Sequence, residues 1–348
     1  MELAERLKIS EFENIVSRQT GNAYIIITQV DPDALGAAFG MARIFEKMNK
    51  RVKIFYSGGI AHPQNRAIVN RCNLQSRMKH LSELKEEELR ANFCVLVDSS
   101  LISDPRLGEL KGKINPVVAI DHHRDSDIIA GENCFMLVED VGACCSLVVE
   151  MMKAMNIELS EDDKMLATIM AMGIYTDTKA LAATHSRDLE AYAFVRQFSS
   201  QSDLNQLIDY DLPETFYRNL GEALKNSCQE NGRLVTYIGY VNINEGDDLS
   251  TIADLLVRSA SVNLVIVWGI VGKVVRISAR NTDISTSLGQ FLRDRFGRTT
   301  GAKLAPDGRG EGGGIIELDL GLWVGETNKG KIVDMVCERI KELVFSEK

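Results

Sequence analysis

None of the seven cysteines is paired as Cys-x-x-Cys. A zinc knuckle or a disulfide framework is therefore excluded as the organising device. Reduced, mostly buried thiols in a cytosolic protein fit better. Long apolar runs are also missing, for none approaches the ~20 residues a membrane span requires. Residues 1–6 are acidic and amphipathic, without the apolar core of a signal peptide. These absences predict a soluble, cytoplasmic protein with no membrane partner. Positive charge is in short supply, with 40 Lys and Arg against 49 Asp and Glu and a net charge of -9. That balance argues against a protein that coats long duplex nucleic acid through its overall field, while leaving room for a local basic cleft. What remains is ordinary for a globular chain: 348 residues, 45% hydrophobic and 26% charged, enough for two domains and a large core.

The rest of the chain is organised around residues 117–123. A short apolar run reads as a buried strand and ends on Asp121, His122 and His123. Neutral His is a common metal ligand, and a carboxylate beside it fixes the tautomer of its ring. A surface turn that happens to carry two imidazoles fits the same letters. The repetition of Asp at three other strand or helix ends favours the site.

The first of these follows residues 24–28, a β-branched run read as a strand. It opens into Gln29-Val30-Asp31-Pro32-Asp33, and a helix with small residues at its start is expected over 34–48. Asp31 and Asp33 then fall in a strand-to-helix turn, where ligands gather in open α/β sheets. An Asp N-cap in a Pro-shaped turn explains one of the two. A strand-Asp-x-Asp nucleophile of the haloacid-dehalogenase type also fits, but gives the His pair no role. A strand over 51–56 leads to a loop with His62, Asn65 and Arg66. The last two suit a phosphate, and His62 reads as a loop residue. A buried strand over 93–100 carries Asp98 at its C-terminal end. A short strand at 135–138 and helices near 142–156 and 160–175 follow. The second of these helices runs into Gly173-Ile174-Tyr175-Thr176-Asp177-Thr178, equally readable as a polar helix end. His185 reads as exposed.

Strand–helix alternation predicts a mostly parallel sheet through residue 195. Residues 196–215 read as a linker. Beyond it, strands at 234–240, 263–268 and 274–280, the last two a hairpin, and helices near 250–259, 285–296 and 328–345 predict a smaller α/β domain. Residues 251–310 carry nine Lys or Arg against four Asp, a local basic surplus. The stretch 308–314 is read as a Gly-rich turn whose bare N–H groups line an anion, although a flexible connector looks the same.

Taken in order, these residues resemble the DHH phosphoesterase superfamily with a C-terminal DHHA1 domain, the group of oligoribonucleases, phosphoadenosine-phosphate phosphatases and RecJ-like exonucleases. Asp31-Pro32-Asp33-Ala34-Leu35-Gly36 is similar to the first motif, Asp98 to the second, Asp121-His122-His123 to the third and residues 173–178 to the fourth. The resemblance implies a DHH catalytic domain over 1–195, a linker over 196–215 and a DHHA1 substrate-binding domain over 216–348. It implies a two-metal site, usually manganese with magnesium possible, that activates water for attack at phosphorus. Asp98 would bridge the ions, Asp31 would serve the first, and Asp33, His122 and Asp177 the second. His123 would contact the phosphate. Ser278, Arg280, Gly312, Gly313 and Gly314 would bind substrate, with Arg276 or Arg309 near Arg280 in sequence. The implied substrate is a small nucleotide or a short single-stranded oligonucleotide, and the implied assembly a homodimer.

Two positions depart from the family pattern. Ile27 stands where the first motif normally has His, with Gln29 the nearest polar side chain to replace it. The glycine motif runs into Ile315, where the family has His. The expected outcomes are an active hydrolase with two ions per chain, or a nucleotide binder without turnover that holds one.

Overall fold

The computed structural model describes residues 3–60, 62–123, 126–128, 133–242, 245–304, 309–318 and 328–346. The chain divides into two units, Met1–Tyr210 and Asp211–Lys348. No described helix is long and apolar enough to cross a membrane.

The first unit opens with α1 (Leu3–Arg6), α2 (Ile9–Ser17), β1 (Ala23–Ile27), α3 (Pro32–Lys47), β2 (Val52–Tyr56) and α4 (Pro63–Arg71). It continues through β3 (Met78–His80), α5 (Glu86–Arg90), β4 (Phe93–Val97), β5 (Pro116–Asp121) and β6 (Phe135–Val138). It closes with α6 (Cys144–Ala154), α7 (Lys164–Asp177), α8 (Ser186–Arg196) and α9 (Gln201–Ile208). The strands form one sheet in the order β3-β2-β1-β4-β5-β6, with every neighbouring pair parallel. Every residue of β1 and of β4 is buried, as continuous apolar runs must be when both faces of a sheet are covered. The chain starts at β1, runs outward to β3, returns to β4 on the other side of β1, and then runs out to β6. The reversal between β1 and β4 opens a crevice at their carboxyl ends. The small residues expected in α3, Ala34, Gly36, Ala37, Ala38 and Gly40, are all buried.

Two expectations for this unit are corrected. Leu3, Leu7, Ile9, Phe12 and Ile15, set among charges, predict one surface helix over 2–19, but the stretch is two helices, broken where Lys8 adopts a left-handed backbone with φ 50°, and Phe12 and Val16 lie in the core. Residues 196–215 are no linker. They hold α9, whose Leu204 and Leu207 are buried in the core of the first unit, and the division falls after Tyr210. Two leucines three apart among polar residues make a narrow apolar stripe, easily read as loop.

The second unit runs α10 (Glu214–Lys225), β7 (Cys228–Glu230), β8 (Arg233–Tyr240), α11 (Asp248–Leu256), β9 (Leu264–Val271) and β10 (Val274–Asn281). It ends with α12 (Leu288–Phe296), β11 (Thr300–Leu304), β12 (Gly310–Glu317) and α13 (Lys329–Phe345). Its sheet has the order β11-β12-β10-β9-β8-β7, with β8 and β9 parallel and the other pairs antiparallel. The expected hairpin of β9 and β10 is present, turning through Gly272 at φ 61°. The expected Gly-rich turn is instead strand. Gly310 to Gly314 pair with β10 on one side and β11 on the other, which commits their backbone to the ladders. A Cβ on Gly313 would collide with the Ile277 carbonyl oxygen, and one on Gly312 would lie 2.5 Å from that of Gly301. Glycine here buys close strand approach. Gly308 lies outside the described residues.

Candidate metal centre

The crevice between β1 and β4 is lined from four turns. Asp31 is the N-cap of α3, with Oδ1 accepting from Ala34 N at 2.9 Å. Asp33, in the first turn, is fully buried, and Oδ2 and Oδ1 accept from the backbone N–H groups of Cys144 and Cys145 at 2.6 and 2.8 Å. The N-terminus of α6 thus orients this carboxylate and offsets part of its charge. Asp98 follows the last residue of β4 in a left-handed conformation, φ 56°, which Asp tolerates better than most residues.

Asp121 closes β5 and is 1% exposed. Its Oδ1 accepts from His122 N (2.8 Å), His123 N (3.0 Å) and His123 Nδ1 (2.7 Å), and Oδ2 accepts from Ser100 Oγ (2.8 Å). Burial works to raise its pKa, but the hydrogen bond and charge of His123 hold it below the ordinary value. It is a fixed anion that shapes the two imidazoles. The Nδ1 of His122 lies 3.2 Å from the Val141 carbonyl, which only accepts, so Nδ1 carries the proton. The other nitrogen, Nε2, lies 3.4 Å from Asp98 Oδ1 and 3.8 Å from both Asp33 Oδ2 and Asp177 Oδ2.

Asp177 ends α7, and beyond it Lys179, Ala180 and Leu181 are left-handed in succession, φ 52°, 57° and 64°. Two overlapping sets have ligand atoms within 4.8 Å of one another: Asp33, His122 and Asp177, and Asp98, His122 and His123. Sequence reasoning named every member. Asp31 belongs to neither set, although its charge reaches Asp177.

These residues fit a divalent cation. Among the described residues, His122 Nε2 and Asp98 Oδ1 are buried and have no hydrogen-bond partner, a costly arrangement for two polar atoms unless something sits between them. Without a cation, protons compensate. Burial and the charge of Asp98 push Asp33 up to about 6. Burial with Asp33, Asp31 and Asp98 raises Asp177 well above its ordinary value. Burial opposes charge on His122, yet Asp98, Asp33 and Asp177 push it up to about 10.

The remaining predicted residues are distributed differently. Ile27 is 0% exposed, inside the core. The Oε1 of Gln29 accepts from Arg106 Nη1 at 2.6 Å, and the same guanidinium is forked onto Asp104. Neither Asp104 nor Arg106 was flagged by sequence, where no spacing links them to residue 29. Asn65 is 9% exposed and donates to the Val30 carbonyl, while Arg66 is half-buried in α4. His62 caps α4 through Nδ1, and His185 caps α8 in a reciprocal pair with Asp188. In the second unit, Arg280 is forked onto Asp254 at 2.5 and 3.0 Å and donates to Ser278 Oγ at 3.3 Å. Arg276 shares β10 with both.

Fold and centre together define an α/β protein that gathers carboxylates and imidazole, candidate ligands for a metal ion, at the carboxyl rim of a parallel sheet. Residues 23–174 match the DHH family, N-terminal domain. It is 27% identical over 326 residues to an uncharacterized protein of Methanocaldococcus jannaschii, covering 92% of this chain and 63% of that one. It therefore spans less than two thirds of that relative's length. It is 24% identical over 185 residues to the cyclic-di-AMP phosphodiesterase PdeA of Listeria monocytogenes, covering 51% of this chain and 28% of PdeA. A crystal structure of an exopolyphosphatase-related protein from Bacteroides fragilis has the same fold over 98% of both chains, with a TM-score of 0.70 and 13% identity.

Proposed function

We propose that this protein is a metal-dependent phosphoesterase that hydrolyses a phosphate ester in a small nucleotide or short single-stranded oligonucleotide. The observation that carries the reading is the convergence of Asp33, Asp98 and Asp177 on Nε2 of His122. Carboxylate and imidazole are ligand types that suit manganese, with magnesium the alternative. When bound, the cation neutralises phosphoryl charge and makes water acidic enough to serve as nucleophile near neutral pH. We assign the tight site to Asp33, Asp98, His122 and Asp177, and a weaker second site to Asp31 and Asp98, which lacks an imidazole at Ile27. Asp121 holds Nδ1 of His123, which leaves Nε2 as the ring atom for the substrate phosphate. Substrate recognition is assigned to the second unit as a DHHA1 domain, with Ser278 and Arg280 as its phosphate contacts. The nucleotide class is supported by the relative named a cyclic-di-AMP phosphodiesterase.

The test is a panel of cyclic dinucleotides, nucleotide 3′-phosphates and short oligonucleotides with millimolar manganese. Turnover of at least one, lost in Asp98→Ala, is expected. No turnover, or activity that survives the substitution, overturns the reading. The burial of Ile27 favours one competitor, a nucleotide binder with a single ion. That protein would take up one manganese per chain, and nucleotide would raise its melting temperature without being consumed.

A further inference from the structure

The carbonyl that holds His122 belongs to a peptide gripped from its other side. Val141 C=O accepts from His122 Nδ1 at 3.2 Å. The N–H of that same peptide, on Gly142, points to Asp188, 3.1 Å from Oδ1 and 3.0 Å from Oδ2. Asp188 lies in α8, is 0% exposed, and also accepts from Ser146 Oγ (2.6 Å) and His185 N (2.8 Å). The approach requires glycine, because a Cβ at residue 142 would sit 2.6 Å from Asp188 Oδ2 and 2.6 Å from Thr178 Cγ2.

We propose that Asp188 is a positioning residue for the metal centre, acting on His122 through the Val141–Gly142 peptide. The proposal rests on the metal-centre reading above. A carboxylate at the N–H end of a peptide polarises it and makes its carbonyl a stronger acceptor. A stronger acceptor keeps the proton on Nδ1, orients the ring, and leaves a more basic Nε2 facing Asp33, Asp98 and Asp177. A negative charge buried this deeply and aimed at the far side of the peptide that meets His122 Nδ1 is more than a helix cap needs. The bond to His185 N alone would cap α8.

The experiment is a titration of metal-free full-length protein with Mn2+, following free Mn2+ by electron paramagnetic resonance. Melting in EDTA is measured alongside it. Asp188→Asn keeps size and acceptor oxygen but loses the charge. It is expected to melt cooperatively in EDTA and to bind Mn2+ about tenfold more weakly. Gly142→Ala, which pushes the carboxylate off the peptide from the other side, is expected to weaken Mn2+ by a similar factor. Ser146→Ala removes a different partner of the same carboxylate and should leave the affinity unchanged, as a purely structural role for Asp188 would not. Unaltered affinity in a folded Asp188→Asn or Gly142→Ala protein overturns the relay and leaves the metal centre standing. Wild-type protein that takes up no Mn2+ overturns both.

Discussion

Asn65 Nδ2 donates a 2.5 Å hydrogen bond to the carbonyl of Val30, the residue immediately before Asp31. An amide expected to meet a phosphate thus braces the turn that carries two acidic side chains, from a helix 35 residues further along the chain. Asn65→Ala leaves a buried carbonyl without its partner and should cost about 1–3 kcal/mol of stability. It should also weaken Mn2+ binding, because the turn loses its support. Urea unfolding in EDTA and a manganese titration check both effects, and a variant indistinguishable from wild type would remove the brace from consideration.

Two arginines and two glutamates tie the amino-terminal helix to the body of the first unit. Arg187 is forked onto Glu150 at 2.8 and 2.5 Å, Arg6 reaches the same carboxylate at 2.8 Å, and both arginines also meet Glu139. Burial works to raise the pKa of Glu150, but the hydrogen bonds from Arg187 and Arg6 hold it below its ordinary 4.5. A depressed carboxylate adds stability that is complete above the unfolded value and disappears as pH falls through the folded one. Wild-type stability should therefore fall more steeply than that of Glu150→Gln between about pH 5 and pH 3. Denaturant titrations at stepped pH measure this, and parallel curves would refute it.

Glycines in the second unit differ sharply in what they tolerate. Gly313→Ala drives a methyl group into the Ile277 carbonyl and should destabilise the protein by about 3 kcal/mol or more. Gly221, inside α10, has nothing within 4 Å of a new Cβ. Gly221→Ala should stabilise by roughly 0.5–1 kcal/mol through helix propensity. Paired urea titrations decide the matter, and equal effects would mean the β12 packing is misjudged.

Replacing Ile27 by His puts an imidazole where the family's first motif carries one. The side chain enters a fully buried position, so a penalty of about 1–3 kcal/mol is expected in metal-free protein. At manganese concentrations that fill only the tight site of the wild type, metal analysis of the variant should rise from one ion per chain toward two. A count that stays at one would show that Asp31 does not complete a second site even with its missing partner restored.

Much of this was legible because parallel strands buried on both faces read as unbroken apolar runs. Residues 24–28, 93–97 and 117–121 stand out on that ground, and Asp98 and Asp121 are placed by simply following them. The centre was legible because its candidate ligands sit where strands or helices stop. Gln29 meeting Arg106, 77 residues away, and Arg280 meeting Asp254, 26 residues away, depend on tertiary placement that no local pattern encodes. The glycines of β12 misled for a related reason. A turn and a crowded strand both require a missing side chain, and composition cannot tell which. The role of Asp188 was hidden because it acts through a main-chain group, and every residue has one.

The centre draws on four segments that end only with Asp177, so no nascent chain stopping short of α7 can complete it. A cation held there would clasp segments that meet only once the first unit has folded. Manganese should accordingly lengthen the lifetime of the native state while leaving the rate of refolding almost untouched. Metal supply would then set how long the molecule persists once made, with little influence on how quickly it is made.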